Sequence, residues 1–216
     1  MDLPAAGSRP RIPLWLKVVY TAFLGVLVPY YWVTYTPWNF LYFCDIALFV
    51  TLAGMWLGSP FLVSTQAVGI LLPQALWVVD FGTRLVAGVH VTSMTGYMFD
   101  ADLPLFVRGL SSFHGWLPFL LVYLVARLGY HRRAFPAQTA LAVVVLLVSF
   151  SLAPPPPPSP DRPGAAVNIN YVYGPDDAQA QTWMPAEAWL ALMIVITVGP
   201  YVPTHFLLAR FFPERQ

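Results

Sequence analysis

Charged residues are scarce in this sequence, which carries 10% Asp, Glu, Lys and Arg against 58% hydrophobic residues. A soluble domain usually carries about 25% charged residues. Too few charges remain to cover a surface that faces water, so a soluble globular protein is excluded. The formal net charge of +1 gives no basic surface for nucleic acid.

Cysteine is nearly absent as well, since Cys44 is the single one in 216 residues. One cysteine excludes an intramolecular disulfide and any cluster that binds metal through several thiolates. The four histidines show no pair at the helical spacing of metal ligands. We therefore expect no metal and no cofactor.

The sequence contains several long apolar runs. Each is long enough to cross a bilayer, which takes ~20 apolar residues. They predict an all-α, single-domain polytopic membrane bundle over residues 14–212, following a tail at 1–13. A loop at the membrane interface is expected at 81–110, and a Pro-rich loop at 154–184. The predicted spans are 14–33, 38–57, 60–79, 111–128, 136–153 and 185–212, with prolines interrupting the third and the sixth.

The distribution of basic residues predicts the orientation of this bundle. Six spans put both termini and the 129–135 turn on one side, together with eight of the eleven lysines and arginines. Because basic residues favour the cytoplasmic side, both termini are expected in the cytoplasm, as in a multi-pass protein of the bacterial inner membrane.

The topology brings Cys44 and His114 to similar depth near the outer face. Cys44 lies about six residues into the second predicted span (~9 Å) and His114 about three into the fourth (~5 Å). An imidazole near a thiol can accept its proton, so a nucleophile and base pair is one interpretation. The other is that Cys44 is a small apolar core residue.

Two aspartates are expected near the same membrane face. Asp45 follows Cys44 directly and points ~100° away from it on a helix, so it is not expected simply to extend the cysteine. It could orient His114, pair with an arginine, or be a buried neutral acid. Asp80 fits a helix-end residue at the interface, and His90 a solvated surface histidine.

Asn168 and Asn170 precede the last predicted span, in a loop where such residues are unusual. Their side chains could reach the head group of a substrate from outside. A turn braced by bonds between asparagine and the backbone is the alternative.

Three short motifs carry a resemblance to a known family. They are residues 40–48 with Cys44-Asp45, residues 112–115 with His114, and residues 168–173 with both asparagines. In this order they resemble bacterial YwaF-like six-span membrane proteins. These are related to the eukaryotic transmembrane ether-lipid acyltransferase and, more remotely, to the androgen-induced membrane hydrolases.

The resemblance implies that Cys44 is the nucleophile and His114 its base. The hydrolase branch has a threonine three positions before its aspartate, where this chain has Tyr42, so the cysteine version fits better. A Cys/His-dependent lipid acyltransferase or lipid ester hydrolase is therefore the leading hypothesis, with membrane lipids as partners and possible substrates.

Two other classes compete with an enzyme, and the sequence leaves the oligomeric state open. A non-catalytic scaffold or lipid-binding subunit predicts that Cys44 is packed by aliphatic residues. A transporter would need a polar path through both leaflets, and the absence of internal repeats argues against it.

Overall fold

A computed structural model describes residues 12–214, so the predicted tail at 1–13 lies almost wholly outside the described residues. Helices and connecting loops make up the described part of the chain, without strands. The prediction of an all-α bundle is confirmed. The α-helices are α1 (Leu14–Thr34), α2 (Phe43–Leu57), α3 (Pro60–Ala87), α4 (Leu105–Ser111), α5 (Phe113–Leu128), α6 (Ala134–Leu152), α7 (Ala186–Val198) and α8 (Tyr201–Phe211).

Five stretches of the described chain are long and apolar enough to cross a membrane: Leu14–Thr34, Pro60–Ala87, Leu105–Leu128, Ala134–Leu152 and Ala186–Phe211. Two of these stretches each contain two helices: Leu105–Leu128 combines α4 with α5, and Ala186–Phe211 combines α7 with α8. Helix α2 is apolar but shorter, with 15 residues. These stretches make the chain a multi-pass integral membrane protein.

Helix α3 occupies the centre of the bundle and packs against α2, α5, α6 and α8. Its first turns present Val63, Ala67 and Val68 to the core, each fully buried. Glycines bring neighbouring helices close. A Cβ at Gly54 of α2 would lie 2.9 Å from Val63 Cγ2 of α3, and one at Gly69 would meet the side-chain amide of Gln138 on α6.

The third helix is longer than predicted and is not interrupted at Pro73. It continues to Ala87 and ends at Gly88, whose φ of +74° is the left-handed conformation that commonly closes a helix. Arg84, which we expected in a loop, donates to the Gly88 carbonyl in the last turn. A proline is tolerated inside a membrane helix when neighbouring helices pack around it.

The second helix begins later than predicted. Residues Pro37–Leu41 form a 3₁₀ helix, Tyr42 is extended, and α2 starts at Phe43. Cys44 therefore lies in the first turn of α2, nearer the helix end than the six residues expected. Of the two interruptions predicted in the last span, at Pro200 and Pro203, the first is found between Val198 and Tyr201, whereas Pro203 lies inside α8.

Candidate functional site

Chemically reactive side chains gather at one end of the bundle, where α1 ends, α2 begins and α5 begins. We call this the distal end, because it lies opposite the start of α1 and the end of α8. The residues of interest are Asn39, Cys44, Asp45, Ser111 and His114, which we call the distal cluster.

Cys44 contacts Asp45 rather than a histidine. The thiol donates to Asp45 Oδ2 over 3.9 Å, and Asn39 Nδ2 donates to the same oxygen over 3.1 Å. The expectation that Asp45 does not extend the cysteine is therefore wrong. Consecutive residues of a helix point about 100° apart. In the first turn of α2, Asp45 Oδ2 nevertheless lies within 3.9 Å of the Cys44 sulfur.

Asp45 is almost completely buried, with 2% of its surface exposed. Its second oxygen, Oδ1, has no hydrogen-bond donor among residues 12–214. The ion pairs found in the described chain involve His90 with Asp80 and His131 with Glu214, not Asp45. A buried carboxyl oxygen without a partner is costly, so Asp45 Oδ1 is open to a hydrogen bond that the described residues do not supply.

His114 is fixed in orientation at the start of α5. Its Nδ1 lies 2.9 Å from the Ser111 carbonyl oxygen. Because a carbonyl only accepts, Nδ1 carries the hydrogen and Nε2 is the unprotonated nitrogen of the neutral ring. The imidazole stacks on Phe113 at 4.0 Å and on Trp77 at 5.6 Å between ring centres.

The support for His114 extends to helix α1 and to the loop before α4. Tyr31 and Ser111 share a hydrogen bond of 3.2 Å between their hydroxyls, and Trp77 donates to the Tyr97 hydroxyl over 3.2 Å. Burial raises the pKa of Tyr97 to about 12.

Cys44 and His114 are brought to the same end of the bundle, as the sequence predicted. No hydrogen bond joins them in the part of the chain that the structure describes; each is bound to the partner given above. Cys44 is partly buried against the hydrophobic core. Their role as a nucleophile and base pair stays a prediction.

Asp80 is a buried residue of α3, and it lies within the helix rather than at its end. Oδ1 accepts from the backbone N–H groups of Val91, Thr92 and Ser93, and Oδ2 accepts from Thr95 and His90. The carboxylate therefore fixes the loop that follows α3. His90, expected to be solvated, is bound to Asp80 at 3.1 Å instead.

Both asparagines of the 168–173 motif brace the backbone, which is the alternative that the sequence left open. Asn170 Nδ2 donates to the Leu41 carbonyl and its Oδ1 accepts from Phe43 N–H, across the break before α2. Asn168 donates to the carbonyls of Gly174 and Asp176 and accepts from Tyr173 N–H. A contact with a head group stays a prediction.

Sequence reasoning gave no role to Asn39, Ser111 and Tyr31. The available signal was weak: each is a polar group at the end of an apolar run, where many polar residues simply face water. Within residues 12–214, no group of three or more His, Cys, Asp or Glu side chains could hold a metal ion.

Comparisons of the chain with protein families, with curated proteins and with solved structures found no match. The fold and the distal cluster therefore define the class by themselves. The chain is a multi-pass α-helical integral membrane protein with a buried carboxylate and a thiol in contact at one end of its bundle.

Proposed function

We propose that the distal cluster catalyses thiol-dependent acyl transfer or ester hydrolysis on a membrane lipid. One observation supports this most directly: the Cys44 thiol contacts a buried carboxyl group whose other oxygen has no donor among residues 12–214. A hydroxyl or amide of a substrate would supply that donor. The resemblance of the three motifs to membrane acyltransferases favours the same reaction class.

The chemistry needs a proton acceptor at each step. Cys44 Sγ would attack the ester carbonyl carbon, while the S–H proton passes to a neighbouring base. The C–O bond then breaks, the leaving alcohol takes that proton, and the acyl group remains on sulfur as a thioester. Water or an acceptor alcohol then attacks the thioester carbonyl carbon and gives its proton to the same base. The C–S bond breaks, the sulfur takes that proton to restore the free thiol, and the acyl group leaves as a free acid or a new ester.

His114 and Asp45 are the two candidates for this base. His114 has a bare Nε2, because Nδ1–H is held by Ser111, so the ring can accept a proton without turning. Asp45 has the direct contact with the thiol. We retain His114 as the proposed base and take Asp45 as the alternative that the contact favours.

A lipid-binding subunit without chemistry is the second candidate function. It is favoured by the packing of Cys44 against the hydrophobic core and by the separate partners of Cys44 and His114. In this case the buried Asp45 oxygen would bind a lipid group, and Cys44 would only fill space.

The rate of Cys44 alkylation against pH, measured in nanodiscs, separates these functions. Labelling has no background, because the chain has one cysteine. For a catalytic thiol we expect half-maximal labelling at a pH well below that of the unfolded chain. His114→Gln abolishes this shift if His114 is the base. Asp45→Asn should not abolish it, because a carboxylate beside a thiol disfavours the thiolate, and its loss lets the thiol ionise at the same or a lower pH.

His205→Gln is the matched control, because His205 is bonded to Tyr130 near the opposite end of the bundle. It should leave the labelling profile unchanged. Labelling of the folded wild type that is slow at every pH, and unaffected by all three substitutions, would contradict the enzyme and favour the binding subunit.

A further inference from the structure

A cavity of about 260 Å³ opens at the distal end, beside the distal cluster. One wall is formed by Tyr35, Asn39 and Tyr42, between α1 and α2. The other is formed by Pro158, by residues 163–167 and by Asp177. Its volume corresponds to roughly nine waters at ~30 Å³ each, which is room for a small polar group.

Hydrogen bonds join the two walls and hold them at a fixed separation. Ala166 N–H donates to the Tyr35 carbonyl over 2.9 Å, and the Tyr42 hydroxyl donates to the Val167 carbonyl over 3.3 Å. Asn168 donates to the Asp176 carbonyl over 2.8 Å and so positions the residue that follows, Asp177.

The lining favours a cation. Of the described residues that line the cavity, Asp177 alone carries a formal charge. Tyr42 and Asp177 line the same cavity, and both burial and the nearby acid raise the pKa of the Tyr42 phenol above its ordinary value. Two phenol rings beside a carboxylate suit an ammonium group, through cation–π attraction and charge pairing.

Asn39 connects this cavity with the thiol. It lines the cavity, and its side-chain amide donates to Asp45 Oδ2, the oxygen that also accepts from Cys44. A group bound against Asn39 would thus be connected to the proposed nucleophile through two side chains, those of Asn39 and Asp45.

We propose that this cavity binds an ammonium group, as found in the head group of a zwitterionic lipid or in a small free amine. The lipid source rests on the proposed function, because it makes the cavity the head-group site of the substrate that Cys44 attacks. The binding of ammonium itself does not depend on the thiol.

The test measures the thermal stability of the protein in nanodiscs. The base bilayer is phosphatidylglycerol, which has no ammonium group. One arm adds phosphatidylcholine or phosphatidylethanolamine to the bilayer, and the other adds choline or tetramethylammonium to the buffer. Wild type should be stabilised in a dose-dependent way by at least one of these ammonium sources.

Substitutions at the cavity should weaken this response. Asp177→Asn and Tyr42→Leu should lower the apparent affinity about three- to tenfold, whereas Tyr42→Phe, which keeps the ring face, should retain it. Asp176→Asn is the matched control, because Asp176 is the adjacent exposed acid and is not part of the cavity lining.

The outcomes distinguish a lipid head-group site, a site for a soluble amine and the absence of an ammonium site. A response to lipid that is lost in Asp177→Asn supports a head-group site, and a response to free amine alone supports an ammonium site for a soluble ligand. No response, or an equal one in Asp177→Asn, overturns the proposal. Repeating the titration in Cys44→Ser separates the two proposals: retained binding there, with an inert thiol in the alkylation test, leaves the cavity valid and removes the enzyme.

Discussion

Single residues at the distal end act mainly through hydrogen bonds to backbone that is distant in sequence. Asp80 shows this most clearly, because one carboxylate collects N–H donors from four residues of the loop after α3. Such bonds to a charged acceptor are stronger than neutral ones. They explain why a buried acid persists in an apolar helix although no lysine or arginine of residues 12–214 forms an ion pair with it.

We expect Asp80→Asn to release this loop, because the amide presents N–H groups to donors that need an acceptor. Hydrogen exchange of the amides of residues 91–95, measured by mass spectrometry in nanodiscs, should accelerate at least about tenfold. Asp100→Asn is the control, since Asp100 accepts only from Asp102 N–H at an exposed turn. Unchanged protection in Asp80→Asn would mean that other contacts hold the loop.

Asn170 permits a second prediction at this scale, because its φ of +56° is left-handed. Asn170→Gly keeps that backbone and removes the two bonds to Leu41 and Phe43, which should cost about 1–2 kcal/mol in unfolding free energy. Asn170→Ala should cost about 1 kcal/mol more, because alanine is strained there. Denaturation in mild detergent measures both, and full stability of the glycine variant would favour a role in binding a head group instead.

At the scale of elements, close approach between helices depends on glycine at specific positions. Gly69 of α3 faces the Gln138 side chain of α6, which fills the space that a Cβ would need. Gly82, on the same helix, has open space around it. The two glycines therefore form a matched pair in one element.

We expect Gly69→Ala to lower the unfolding free energy by about 1–3 kcal/mol through overpacking. Gly82→Ala should be neutral or stabilising by up to about 1 kcal/mol, because alanine favours the helix. Titration with a denaturing detergent, followed by tryptophan fluorescence, measures the difference. Equal effects of the two substitutions would show that α6 moves aside without cost.

The whole molecule carries large apolar side chains on its outside, for example Val33, Leu57 and Phe119, which are 76%, 74% and 67% exposed. In water this surface would be unfavourable, whereas in a bilayer it faces hydrocarbon. The orientation predicted from the basic residues then puts the distal end, with its cavity and thiol, on the outer side.

Site-directed labelling checks this orientation in intact cells. In a Cys44→Ser background, Asp161→Cys, in the loop after α6, should react with a membrane-impermeant maleimide. Arg132→Cys, in the turn after α5, should react only after the membrane is opened, and both positions are exposed. The reverse pattern would put the distal end in the cytoplasm and contradict the predicted topology.

The sequence by itself determined the class of this protein, because crossing a bilayer requires a local property, about 20 apolar residues in a row. It also predicted that Cys44 and His114 lie at one end of the bundle, since alternating spans fix that. Two predictions from local sequence were wrong. Helix α3 continues through Pro73, where neighbouring helices pack around it. Helix α2 begins only after Tyr42, where Phe43 N–H donates to the distant Asn170.

Only the tertiary structure decided which polar groups meet. Asn170 reaches Leu41 across 129 positions, and Tyr31 reaches Ser111 across 80. Burial makes each of these groups require a partner, but many pairings would satisfy that requirement, and packing selects one. For this reason the reactive residues could be named from the sequence, while the contact of Cys44 with Asp45 and the cavity beside Asn39 could not.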